Sequence, residues 1–132
     1  MKTTPYLFFG GNCTDAIAFY RETLGAEVRA FARFGDMPGS TEANADRVMH
    51  AELGIGETTI YASDAQGNER QGSGYAIALE TSDDAQAEQL FAALADDGRI
   101  DVPLMTTPFA SRFGMATDRF GTPWMVTTPQ PQ

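Results

Sequence analysis

The chain has 132 residues and a mass of 14.3 kDa, enough for one domain of ordinary size, domains most often running roughly 100 to 150 residues. With 42% hydrophobic and 20% charged residues it is too apolar to remain disordered. Nine basic residues against 18 acidic give a net charge of −9, Lys2 is the only lysine, and the eight arginines are scattered singly, which excludes the clustered positive surface that nucleic acid or an anionic membrane requires.

Taken in chain order, Tyr6-Leu7-Phe8-Phe9 is a short aromatic run stopped by Gly10-Gly11 and reads as a buried strand. Asn12 is placed as a helix cap, with Asp15 completing an imperfect capping box. Ala16, Ile17, Phe19, Tyr20 and Leu24 then recur at helical spacing, and Gly25 supplies a left-handed stop. Glu27 to Phe34 alternates, with Val28, Ala30, Ala32 and Phe34 assigned to one face. Residues 35–46 form a loop without periodicity, after which Arg47–Leu53 and Glu57–Ser63 flank Gly54-Ile55-Gly56 as a hairpin. A polar, glycine-rich stretch from Asp64 to Gly74 reads as a linker.

Beyond it the order of elements begins again. Tyr75–Glu80 is a predicted strand, Thr81 and Ser82 are cap candidates, and Ala87, Leu90, Phe91 and Leu94 make a helix stripe ending at Asp97-Gly98. Arg99–Leu104 follows as a strand with Ile100, Val102 and Leu104 on one face; Phe113–Thr117 and Trp124–Thr128 are the last two strands, separated by the turn Asp118-Arg119-Phe120-Gly121. The tail from Pro129 to Gln132 is expected to fray. Each half therefore reads βαβββ, a first module over about residues 1–65, a linker over about 66–74 and a second module over about 75–128. Each module alone would leave an apolar sheet face bare, so the two are expected to pair around a shared core or cup within a single α+β domain.

Few residues offer chemistry. His50 is the only histidine, and Glu52 shares its strand face at period 2, a pair able to shuttle protons or ligate a metal. Cys13 is the only cysteine, which rules out an internal disulfide and a thiolate cluster and suits a cytoplasmic protein; it is expected to be a buried, inert thiol. No glycine run has the spacing of a dinucleotide or phosphate loop, and no apolar window approaches the roughly 18 residues of a membrane span. Phe8, Phe31, Tyr61, Phe109, Phe113, Trp124, Met49, Met105 and Met125 are candidates to line a pocket, at least half of them being needed for the core.

The stretch Pro5-Tyr6-Leu7-Phe8-Phe9-Gly10-Gly11-Asn12, running into Ala16-Ile17-Ala18-Phe19-Tyr20 and Leu24-Gly25-Ala26-Glu27, resembles the opening of the PhnB-like proteins. These are members of the glyoxalase/bleomycin resistance protein/dioxygenase group, the vicinal oxygen chelate superfamily. The likeness continues through Phe34-Gly35-Asp36-Met37-Pro38, Ala62-Ser63-Asp64-Ala65 and Thr117-Asp118-Arg119-Phe120-Gly121-Thr122-Pro123-Trp124-Met125. The resemblance implies paired βαβββ modules forming an open, cup-like mixed sheet, commonly in a homodimer. In metal-using relatives the ligands are His or Glu on the first and last strands of each module, places that fall on Pro5, Tyr61, Ala76 and Met125 here. None is a good ligand, so no metal and no cofactor are expected. Some relatives carry ubiquinone-pathway methyltransferase names, but no glycine-rich motif for S-adenosylmethionine occurs in this sequence. The expected function is a metal-free homodimer binding an unknown small molecule in the cup, with His50, Tyr61, Phe113 and Met125 as ligand-binding residues. The alternatives are a metal-dependent lyase, isomerase or dioxygenase with atypical ligands, and a protein that sequesters a cationic drug of the bleomycin kind.

Overall fold

A computed structural model describes residues 1–39, 44–65 and 74–131, which divide between two compact units, Met1–Gln71 and Gly72–Gln132. The first contains β1 (Tyr6–Phe9), α1 (Cys13–Leu24), β2 (Glu27–Arg33), β3 (Val48–Ile55) and β4 (Thr58–Asp64). The second contains β5 (Ile77–Glu80), α2 (Asp84–Ala95), β6 (Arg99–Met105), β7 (Ala110–Thr117) and β8 (Pro123–Pro129). Both halves thus have the βαβββ order, and the fold is α+β. Each unit forms an open four-stranded mixed sheet, ordered β1-β4-β3-β2 in the first and β5-β8-β7-β6 in the second. The first strand of each lies parallel to the last, and the other pairs are antiparallel.

One face of each sheet carries the helix. In the first unit α1 lies against β3 and β4, and the buried set is Leu7, Phe9, Ala16, Ile17, Tyr20, Ala51, Leu53, Ile60 and Ala62. In the second, α2 lies against β6, β7 and β8, burying Ala87, Phe91, Leu94, Ala116, Trp124 and Val126. Such burial is the main favourable term in folding, worth about 25 cal/mol per Å² of apolar surface. Period-2 alternation then puts the intervening side chains on the opposite face. In β1, Leu7 and Phe9 are buried while Tyr6 and Phe8 are exposed, so the strand has one buried face and one open face rather than being buried throughout.

Each unit also buries one aspartate against backbone donors. Asp64, at the end of β4, accepts hydrogen bonds from the Gly11 and Cys13 amides at 3.0 and 2.9 Å and from the Val48 amide at 2.9 Å. It supplies the cap expected of Asn12, which has a non-capping backbone conformation and makes no side-chain cap bond. The cap comes from a strand about fifty residues away because the parallel β1–β4 pairing carries the end of β4 to the start of α1. Asp118 acts locally: its carboxylate accepts from the Phe120 and Thr122 amides and, at 2.8 Å, from the Trp124 indole.

Several sequence expectations need correction. The cap of α2 is Asp83, which accepts from the Gln86 amide at 2.7 Å, rather than Thr81 or Ser82. Gly25 closes α1 in the left-handed conformation, but the positive φ after α2 belongs to Asp97 (φ 58°). Gly98 has a different role, because a Cβ there would collide with the Thr117 carbonyl oxygen and press on the Asp118 backbone. The alternation expected for β2 and β6 fails at irregularities. Val28 pairs with Leu53 but Ala30 with Glu52, and Ile100 pairs with Ala116 but Val102 with Met115, so the face changes between those residues in both edge strands. The tail is fastened at Gln130, whose amide donates to the Thr107 and Ala110 carbonyls. The linker expected at 66–74 lies outside the described residues except for Gly74, as do positions 40–43 of the loop.

Candidate functional site: the open face of the first sheet

On the side of the first sheet away from α1, the ladder brings four rings together. Tyr6 is paired with Tyr61 across the parallel β1–β4 edge, and Tyr61 with Glu52 across β4–β3. His50, two residues before Glu52, lies on the same face, so the period-2 reading of His50 with Glu52 holds. The His50 and Tyr61 ring centroids are 5.0 Å apart, Tyr6 and Tyr61 meet edge-on at 5.8 Å, and Tyr6 stacks on Phe8 at 4.6 Å. Tyr6 Oη lies 3.0 Å from His50 Nδ1, a hydrogen bond whose donor follows the imidazole tautomer. Tyr6 is 38% and Phe8 48% exposed, so these rings present their surfaces to solvent. Such a group of aromatic rings in contact gives a flat, polarisable wall with polar edges.

The wall gives way to a lower shelf. Across β3–β2 the residues opposite Glu52 and His50 are Ala30 and Ala32, whose methyl groups rise little above the sheet. A pocket of about 270 Å³ opens at the other end of the wall, lined by Tyr6, Phe8, Phe34, Met49, Ser63 and Asp64 among others. The Asp64 carboxylate there is already engaged by three amides. Beside it, burial pushes the Cys13 thiol up to about 12, with the Asp64 charge adding to the rise and the Arg33 guanidinium opposing it. Cys13 is therefore a neutral, fully buried core group, as its sequence context suggested.

The open face of the second sheet has a different composition. Met115 pairs with Met125, Ala78 also pairs with Met125, and Phe113 pairs with Thr127 and Met105. Phe113 and Met125 are thus diagonal neighbours on one face, and Phe113 meets the exposed Phe109 edge-on at 5.3 Å. Of the four sequence-predicted ligand-binding residues, His50 and Tyr61 come together in the first unit, and Phe113 and Met125 in the second. Trp124 belongs to the core, and Phe31 lies on the β2 edge under the Arg33 guanidinium at 4.9 Å. Tyr6 was missed by sequence reasoning. The available signal was its period-2 relation to Phe8 within a strand whose other two residues are equally apolar.

The places where metal-using relatives carry ligands do not fit a divalent ion. Pro5 and Ala76 precede β1 and β5 by one residue; the open-face positions are Tyr6 beside Tyr61 in the first unit and Ala78 beside Met125 in the second. Phenols, a methyl group and a thioether are poor replacements for a divalent ion's water. Among the described residues no three His, Cys, Asp or Glu side chains come together as a metal site. Likewise, no helix among them is long and apolar enough to cross a membrane.

Comparison with known proteins agrees with this architecture. Residues 4–126 match the Glyoxalase/Bleomycin resistance protein/Dioxygenase superfamily. Protein YjdN of Escherichia coli K12 is 35% identical over 144 aligned positions, covering 100% of this chain and 98% of its own. The crystal structure of protein PA1353 from Pseudomonas aeruginosa is similar at 40% identity and a TM-score of 0.90, covering 99% of each chain. A PhnB protein from Bacillus cereus shares the fold at 24% identity and a TM-score of 0.83, over 97% of this chain and 99% of that one.

Proposed function

Because the chain belongs to the glyoxalase/bleomycin resistance protein/dioxygenase superfamily, we propose that it uses this scaffold to bind a small molecule without a metal ion, on the open face of the first sheet. The observation that carries the proposal is the ring wall of Tyr6, Phe8, His50 and Tyr61, held in mutual contact and left partly exposed. Aromatic groups exposed together on a rigid sheet are a costly use of apolar surface unless they meet a ligand or partner. The sheet fixes their positions through backbone pairing, so little ordering is needed on binding. Phe113 and Met125 are proposed as apolar ligand contacts belonging to the open face of the second sheet.

The protein is further proposed to act as a homodimer. Exposed Val28 and Phe31 on the edge strand β2 and exposed Ile100 on β6 support self-association. Native mass spectrometry of the purified protein, with and without added Zn²⁺, Ni²⁺ or Mn²⁺, tests both points. The expected result is a mass of two chains, a co-purified organic molecule or none, and no stoichiometric metal. One divalent ion per chain, lost in His50→Ala, would overturn the metal-free reading.

A further inference from the structure

We propose that the open face of the first sheet selects organic cations carrying a flat apolar body, with Glu52 as the group that recognises the charge. The proposal deepens the ring-wall reading and rests on it. Glu52 is paired directly with Tyr61 and, on its other side, with Ala30. Its carboxylate therefore rises where the aromatic wall meets the alanine shelf, partly exposed. Among the described residues no hydrogen bond or ion pair reaches it. The guanidinium on this face, Arg29, lies over Gly54 and is engaged elsewhere, 3.9 Å from the Glu27 carboxylate and 3.3 Å from the Thr59 hydroxyl. Among the described residues Arg29 and Glu27 balance each other, so Glu52 leaves this part of the face with one negative charge that no described side chain pairs.

Rings and carboxylate favour the same class of ligand. The faces of Tyr6 and Tyr61 carry the negative end of the ring quadrupole, which attracts a cation placed over them. Glu52 attracts the same cation at a site partly shielded from water, where screening is weaker than in bulk solvent. The alanine shelf admits a flat body alongside the wall, since no large side chain stands on Ala30 or Ala32. A neutral ligand of the same shape would gain only stacking, and an anion would meet Glu52 unfavourably. The chain's net charge of −9 adds a long-range bias in the same direction.

The test compares three probes of nearly one shape: 1-methylquinolinium, quinoline at pH 8, where it is neutral, and 1-naphthoate. Binding is followed by NMR titration of the wild-type chain, Glu52→Gln, Tyr61→Ala and Glu57→Gln, the last removing an exposed charge from the β3–β4 turn. The expected order is methylquinolinium over quinoline by roughly tenfold, with naphthoate weakest. Glu52→Gln should bring methylquinolinium down to the level of quinoline and leave quinoline unchanged, whereas Glu57→Gln should change neither. Equal affinity for the charged and neutral probes, or equal loss in Glu52→Gln and Glu57→Gln, would overturn cation selection while leaving the ring wall standing. Binding of both probes that Tyr61→Ala does not weaken, or no binding of either, would overturn the ring-wall reading as well.

Discussion

The two units have the same element order and the same strand order, and each buries one aspartate against backbone amides, yet their open faces differ. The first presents Tyr6, Phe8, His50, Tyr61 and Glu52; the second presents Met115, Met125, Phe113 and Ala78. The shared part is what burial and hydrogen bonding demand of any βαβββ unit, namely an apolar face under the helix and a partner for each buried polar group. The open face is not constrained in that way, so its differences carry the functional information. The contrast also separates two uses of a carboxylate. Asp64 joins β4 to the start of α1 and to β3, while Asp118 holds its own turn and the indole of Trp124.

The largest expected effects test the shared part. Asp64→Ala leaves three amides without their acceptor and should cost about 3 kcal/mol or more in urea unfolding. Asp118→Ala leaves two amides and the buried Trp124 indole without their acceptor and should cost a comparable amount; a loss under about 1 kcal/mol for Asp64→Ala would contradict this account of the first unit. Gly98→Ala in the second unit forces a methyl group into the Thr117 carbonyl and should destabilise by about 1–3 kcal/mol.

Next in size is the alkaline effect of the first unit's buried thiol. The Cys13 thiol titrates near 9 when free and near 12 when folded, so the folded state holds its proton longer than the unfolded state does. Its contribution is complete below pH 9 and is lost as pH rises toward 12, amounting to about 1 kcal/mol by pH 10. Urea titrations of wild type and Cys13→Ala between pH 8 and 10 should diverge by that amount; parallel curves would show that the thiol is not desolvated. The smallest effect on stability, and the most informative for function, comes from the open faces. Tyr61→Ala should weaken methylquinolinium binding about tenfold, while Met125→Ala should change it by less than about twofold.

The sequence showed the shared part well because that part is local or periodic. The stripe Ala16, Ile17, Phe19, Tyr20, the stop at Gly25 and the turn at Asp118 were all legible from neighbouring residues. Asp64 was not, since its partners lie 16, 51 and 53 residues away in sequence and only the parallel pairing brings them together. The edge strands β2 and β6 misled because an irregularity in each moves later side chains to the other face. At the candidate site, the shared face of His50 and Glu52 was legible, but the bond from His50 to Tyr6 depends on β1 and β3 flanking β4 in one sheet.

The most direct test of the ring wall is an aromatic and methionine-methyl ¹³C NMR titration with 1-methylquinolinium, since the two open faces carry different reporters. The rings of Tyr6, Phe8, His50 and Tyr61 should shift together and saturate with one affinity, and Glu52→Gln should weaken that affinity. Shifts confined to the Met115 and Met125 methyls, with the first unit's rings unmoved, would contradict the account.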